Sequence, residues 1–164
     1  MPKSIPVHVR AATVDDASAV SGVILKALRQ SNAADYSPEV IARVETSFSP
    51  SALLKLFEQR EVFVALQDKR IVGTASFDGR AVRTMFVTPE VQRRGIGRHL
   101  MEAVEVAAKK AGIDVLFVPS SVTGEQFYAN LGFKAVRDSF YGEERTIIME
   151  RVLTESKQNR HDGE

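Results

Sequence analysis

The sequence contains no cysteine, which excludes disulfide cross-links, thiolate metal sites and any covalent intermediate carried on a protein thiol. It also has little charge of either sign in excess. Against 22 basic residues stand 21 acidic ones, a formal net charge of +1, so no overall field draws the chain to nucleic acid or to a membrane surface. No apolar run approaches the ~18 residues of a membrane span, and the opening Met1-Pro2-Lys3-Ser4-Ile5 lacks the apolar stretch of a secretion signal, so a cytoplasmic location is expected. His8, His99 and His161 are far apart and none pairs with another at ligand spacing, so no metal site is expected. What is present is a chain of 164 residues, 44% hydrophobic and 26% charged, the balance of one ordinary globular domain with its own core. Any positive patch must be local.

Val7 to Arg10 alternates apolar and polar residues and predicts a short strand, and Thr13 followed by Asp15 and Asp16 predicts a helix start. Ala17, Val20, Ile24 and Leu28 then recur at spacings of three and four, one buried helical stripe. Ser37-Pro38 and Ser49-Pro50 each combine a capping serine with proline at the first helical position, with Ile41, Val44 and Phe48, then Leu53, Leu54 and Phe57, as packing faces. From Val62 the period changes. The runs 62–66, 71–77 and 81–87 are β-rich and separated by turn residues, including the hairpin signal Asp78-Gly79, so an antiparallel meander is expected.

A helix is expected from Gly97 to Ala111, closed by Gly112, then a buried strand over 114–118, a short helix from Thr123 to Leu131 capped by Gly132, and two closing strands joined around Tyr141-Gly142. The expected order β-α-α-α-β-β-β-α-β-α-β-β describes an α/β (α+β) sandwich, a central mixed, mostly antiparallel sheet flanked by helices. One domain is expected over 1–153, and the polar segment 154–164 is expected to be a disordered tail.

The most informative segment runs from Met85 to Arg98: the end of a strand, a Thr88-Pro89 stop, the basic glycine loop Gln92-Arg93-Arg94-Gly95-Ile96-Gly97, and a helix start at Arg98. Backbone N–H groups in such a loop and in the first helical turn lack intrahelical partners, and the helix dipole favours anions at that end. Arg93, Arg94 and Arg98 add positive charge beside those amides, which suits a diphosphate better than a carboxylate. Two familiar phosphate motifs fail here. A nucleoside-triphosphate loop needs Lys then Ser or Thr after the glycine, where Arg98 and His99 stand; a dinucleotide fingerprint needs a third glycine where Leu100 stands. A plain loop-to-helix boundary with a solvated basic face is the alternative, and it explains neither the glycine spacing nor the clustered arginines.

At these residues the chain resembles the GNAT superfamily of acetyltransferases, whose pyrophosphate loop reads Gln/Arg-x-x-Gly-x-Gly/Ala, as Gln92 to Gly97 does. The resemblance extends from about Val7 to Leu153 through Asp35-Tyr36-Ser37, Val62-Phe63-Val64-Ala65, Ile71-Val72-Gly73, Phe127-Tyr128 and Leu131-Gly132-Phe133. It implies an N-acetyltransferase that moves acetyl from the cosubstrate acetyl-CoA to a primary amine of a small molecule or protein by direct attack in a ternary complex. It implies further that the strand edge Met85, Phe86 and Val87 pairs with the pantetheine arm, that Tyr128 is the general acid, and that Tyr36 lies where the acceptor is bound. Ser121 stands six residues before the Phe-Tyr pair, where many members carry asparagine, and is carried as a cofactor contact with a shorter reach; Gly124 stands where many carry alanine and is expected to loosen the short helix. Phe127 and Phe133 are expected in the core. Asp78, Glu45, Glu90 and Tyr36 are candidate bases by residue type alone, beside a water chain. A non-catalytic acyl-CoA-binding sensor or regulatory module is the alternative from another class. Neither nucleic acid nor membrane is an expected partner. Many relatives pair as homodimers, and Ile147 or Ile148 on the last strand is the candidate edge for such pairing.

Overall fold

The computed structural model describes residues 6–32, 37–91, 94–142 and 144–153. Seven strands and five α-helices follow in the expected order. Strand β1 (Val7–Ala11) is joined by a short 3₁₀ turn to α1 (Ala17–Ala27), which runs on into one π-helical turn (Leu28–Asn32). Helices α2 (Pro38–Ser47) and α3 (Pro50–Gln59) begin as their sequences predict: the Ser37 hydroxyl accepts from the Val40 N–H and that of Ser49 from the Ala52 N–H, each with proline in the first turn. Strands β2 (Glu61–Gln67), β3 (Arg70–Phe77) and β4 (Val82–Val87) form the meander. Helix α4 (Ile96–Lys110), β5 (Val115–Ser120), α5 (Glu125–Asn130), β6 (Lys134–Tyr141) and β7 (Glu144–Val152) complete the chain. The segment 154–164, expected as a tail, lies outside the described residues.

The strands fall into two sheets, one ordered β1-β2-β3-β4 and the other β5-β7-β6, every pairing within them antiparallel. Their link is a single parallel bridge between Ala81 and Phe117. The sheet is therefore mixed, as expected, but opened between β4 and β5.

Strand alternation sends neighbouring side chains to opposite faces. Val64 accordingly joins α1 and α3 in one cluster with Val20, Ile24, Leu28 and Leu53, while Ala65 joins the other, larger cluster with Leu100, Met101 and Val104 of α4. The first sheet is thus covered on both faces, and its buried hydroxyls are paired: Thr74 donates to the Phe63 carbonyl and Ser76 to that of Arg83, both at 2.9 Å.

Three expectations change. Leu54 is 40% exposed, and α3 packs through Leu53, Leu56 and Phe57 instead. Helix α4 starts one residue early, at Ile96. Strand β7 is the middle strand of its sheet and Ile147 is buried, so neither Ile147 nor Ile148 is on an edge; that edge is β6, with Val136 and Phe140 exposed.

The start of the chain is tied down by one carboxylate. Asp16 accepts from both terminal nitrogens of Arg10, at 2.8 and 3.2 Å, and from the Thr13 N–H at 2.8 Å. The Arg10 guanidinium, with help from Thr13 and against the effect of burial, holds the Asp16 carboxyl below the usual aspartate range. A carboxyl depressed by folding stabilises above its unfolded pKa, ~3.9, and that contribution disappears as pH falls through the folded value. Asp16→Asn is therefore expected to lower the thermal midpoint at pH 7 and to converge with the parent protein below about pH 4. A difference of constant size between pH 7 and 3 would exclude the carboxylate charge as its source.

Candidate active site

Strands β4 and β5 are pinned where Ala81, just before β4, meets Phe117 of β5, and part thereafter. At the closed end the Phe117 N–H donates to the Arg80 carbonyl at 3.2 Å, and the Arg80 guanidinium lies 5.2 Å over the Phe117 ring. The turn before β4 is fixed by Asp78, whose carboxylate accepts the N–H groups of Arg80 and Ala81 at 3.0 and 2.9 Å and Arg83 Nε at 2.7 Å.

Further along, β4 carries a bulge. Ser76 pairs with Arg83 and Thr74 with Phe86, so Thr84 and Met85 stand opposite Ala75 alone. Thr84 has φ +54°, a left-handed conformation that is strained for a β-branched residue. Two bonds hold it. Arg60, at the end of α3, donates from Nη1 to the Thr84 hydroxyl at 3.0 Å, while Ser76 holds the Arg83 carbonyl. The bulge turns the second half of β4 away from β5, and a cavity of about 840 Å³ fills the opening.

The cavity's upper wall is the start of α4. Thr88 still donates to Val72 on β3 at 2.8 Å, after which a 3₁₀ turn (Pro89–Val91) carries the chain off the sheet. Gly95 then takes φ +82°, the left-handed cap that starts α4. No acidic residue stands in the first turn of α4, and Arg94 and Arg98 are exposed there. Positive side chains at a helix N-terminus oppose the dipole, so this end is arranged for an anion rather than for the helix's own stability.

Gly97 is required for a different reason. A Cβ at this position would lie 2.5 Å from Cζ of Phe127, so the glycine lets the end of that ring come up against the helix start. Phe127, expected in the core, is 36% exposed and lines the cavity. The sequence signal for it was Gly97 itself, a glycine in a helix at normal φ, which marks close approach. Phe133 is buried as expected.

Tyr128 is held by its neighbours. Its ring packs edge-on against Phe127 and Phe133 with centroids 5.0 and 5.9 Å away, and its exposure is only 8%. Burial pushes the phenol pKa well up, so the hydroxyl keeps its proton throughout the neutral range. Gly124 caps α5, where a Cβ would come within 3.2 and 3.3 Å of the Ser120 and Ser121 hydroxyls and 3.5 Å of the Tyr128 ring. It makes room beside the tyrosine and initiates the helix rather than loosening it. The Ser121 hydroxyl accepts the Gly124 N–H at 3.1 Å.

Of the residues singled out in the sequence, Met85, Phe86, Val87 and Ser121 line this one cavity on the strand side. Gly95, Ile96, Gly97, Arg98 and Tyr128 line it on the helix side. Arg94 is exposed at the helix start. Gln92, Arg93 and Tyr36 lie outside the described residues.

The candidate bases fare differently. Burial raises the Asp78 pKa, but Arg83 and the turn N–H groups outweigh it and the net shift is downward. Arg29 binds Glu45 at 2.7 Å and lowers it. Lys26, then Thr88, hold Glu90 at about 2. All three are paired carboxylates, poor proton acceptors near neutral pH. Among the described residues, no group of three or more acidic, histidine or cysteine side chains could hold a metal ion, and no helix is long and apolar enough to cross a membrane.

A two-sided sheet that opens beside a glycine-started helix defines an acyltransferase fold, and comparison with known proteins gives the family. Residues 32–150 match the model of the acetyltransferase (GNAT) domain; the chain belongs to this family. The Escherichia coli K12 protein described as uncharacterized N-acetyltransferase YafP is 25% identical over 125 residues, 74% of this chain and 77% of that one. A GCN5-related N-acetyltransferase from Rhodopseudomonas palustris superposes with TM-score 0.83 at 24% identity, over 93% of this chain and 99% of the other. The PaiA N-acetyltransferase of Thermoplasma acidophilum, solved with coenzyme A, gives 0.79 at 21% identity over 90% and 99%.

The bulge yields a direct test. Thr84→Val keeps the branched shape but loses the bond to Arg60 and should cost about 1–2 kcal/mol, whereas Thr84→Gly loses the same bond but adopts φ +54° without strain and should cost less. Urea unfolding of the parent and both variants measures this. A Thr84→Val variant as stable as the parent would remove the hydroxyl from the account of the bulge, and equal Gly and Val variants would remove the strain.

Proposed function

We propose that the protein transfers acetyl from acetyl-CoA directly to a primary amine, with Tyr128 as general acid. The observation that carries this reading is the cleft between β4 and β5, which runs from the N-terminus of α4 to Tyr128. The first-turn amides of α4, with Arg94 and Arg98, suit a pyrophosphate; Gln92 and Arg93 of the same loop are assigned to it from the sequence. The solved relative with coenzyme A has the same fold.

Successive peptide groups of a strand face opposite edges. Because β4 and β5 part beyond the bridge at Ala81 and Phe117, the cleft side of β4 is assigned to an amide-bearing arm, with a backbone N–H of that strand polarising the thioester carbonyl. The amine nitrogen attacks that carbonyl carbon, the C–N bond forms, and the C–S bond breaks. The departing thiolate takes the Tyr128 proton, the proton shed by nitrogen leaves through solvent, and solvent returns a proton to Tyr128. Since a thiol near pKa ~8.5 is already a fair leaving group, the acid helps only modestly. Ser121 contacts the arm through its hydroxyl, and Tyr36 contacts the acceptor.

Tyr128→Phe is expected to slow turnover by on the order of 10²-fold or less and to leave acetyl-CoA affinity nearly unchanged. The measurement is release of free thiol across a panel of amines, in a protein that contributes no thiol background. Unchanged turnover with chemistry limiting would remove the assignment, and cofactor binding without release by any amine would favour the sensor reading.

Gly97→Ala forces the Phe127 ring to swing into the cleft, and coenzyme A affinity should fall at least ~10-fold, about 1.4 kcal/mol. Adding Phe127→Ala removes the clash and should restore most of it. Calorimetric titration of both variants is the test; a double variant as weak as the single one would mean that the glycine acts through the backbone instead.

A further inference from the structure

The end of the cavity away from Arg98 has a chemistry of its own. It is walled by Leu28 at the end of α1, Ile41 and Val44 of α2, Phe48, and Phe86 of β4. Phe48 and Phe86 meet edge to face with centroids 6.2 Å apart. Helix α2 buries none of its residues fully; Ile41 and Val44 are half-exposed and line the cavity, Val44 also packing against the core cluster of α1 and α3. A helix presenting an apolar stripe to an open cavity is built to be covered by something apolar.

Charge points the same way. Among the described residues lining the cavity, Arg98 is the one charged side chain, and it belongs to the cofactor end. Three nearby carboxylates are already paired, Glu45 of α2 with Arg29, Glu90 with Lys26, and Asp78 with Arg83, while Glu39 and Glu125, in the first turns of α2 and α5, do not line the cavity. An ammonium entering this end would lose water with no counter-charge supplied by these residues. An alkylamine with pKa ~10.4 is neutral in only about one molecule in 10³ near pH 7.4, whereas an aromatic amine, its lone pair delocalised into the ring, is neutral there already.

We propose that the acceptor is a weakly basic aromatic amine, bound as the free base with its ring against Phe48 and Phe86. This rests on the transferase reading above. The neutral nitrogen attacks with no base required beforehand; the C–N bond forms, the thiolate leaves with the Tyr128 proton, the nitrogen's surplus proton passes to water, and water returns one proton to Tyr128. An aromatic amine and acetyl-CoA become an N-aryl acetamide and coenzyme A. The ring meets two aromatic edges, a favourable arrangement for aromatic pairs.

The test uses the full chain with acetyl-CoA and compares 4-methoxyaniline, phenethylamine, spermidine and Nα-acetyllysine from pH 6.5 to 9. The aniline is expected to have the highest kcat/KM at pH 7, by at least ~100-fold over spermidine, and a flat profile, while the alkylamines rise toward tenfold per pH unit. Val44→Asp, or Ile41→Asp should the first variant unfold, places a carboxylate in the wall and should cut the aniline rate at least ~10-fold while raising that of spermidine.

Spermidine or the lysine amine preferred by the parent protein, or aniline-to-spermidine rate ratios unchanged in the wall variants, overturns the proposal and leaves the transferase standing. The converse failure is separable by saturation-transfer NMR. Aniline binding that weakens in Val44→Asp, without thiol release from any amine, sinks the transferase and keeps the apolar aromatic site; no aniline binding and no release sinks both.

Discussion

Interior strands of a sheet are ordinarily hydrogen-bonded along both edges, because a buried backbone group without a partner costs as much as a lost bond. Strands β4 and β5 share a single bridge, at Ala81 and Phe117, and much else in the molecule follows from keeping them apart. The bulge at Thr84 and Met85 turns β4 aside, Arg60 and Ser76 fix the bulge from α3 and β3, and Asp78 locks the turn before it. The exposed edge so created is a template for another extended chain. A ligand with amide groups of its own is one extended chain that fits such a template.

The second requirement is that the open edge lead somewhere. Gly95 starts α4 at the mouth of the opening and Gly97 seats Phe127 on its first turn, so an anion-favouring helix end and an aromatic pair share one wall. Phe127 and Phe133 then grip Tyr128 between them. The tyrosine is buried enough to stay protonated yet lines the cavity, which is the pair of properties an acid for thiolate needs. Packing and chemistry are satisfied by the same three rings.

Much of this was legible in the sequence, because the signals are local. Ser-Pro helix starts, the Asp78-Gly79 turn, the change of hydrophobic period at Val62 and the helix start after Gly95 each depend on a few neighbouring residues, and each has its counterpart among the described residues. The differences lie at residues whose fate is decided at a distance. Leu54 has the right spacing but is exposed, Ile147 and Ile148 fall on a middle strand because strand order does not give pairing order, and Phe127 lines the cavity instead of the core. Strain at Thr84 was invisible. A threonine in a β-rich run predicts extended backbone, and only the pairing of Arg83 with Ser76 and Phe86 with Thr74 reveals the extra residue.

The carboxylates sharpen the chemical conclusion. By type alone, Asp78, Glu45 and Glu90 were each able to serve as a base; in the structure each already has a cation, and Asp78 and Glu90 each have a further hydrogen bond as well. Those pairs are worth little as surface salt bridges, but they have a second effect, which is to hold the carboxylates ionised and weakly basic. A site whose surrounding acids are committed to structure leaves deprotonation of the nucleophile to solvent or to the nucleophile's own low basicity. That shifts the burden of selectivity from charge to shape, and the half-exposed apolar face of α2 is where shape is available.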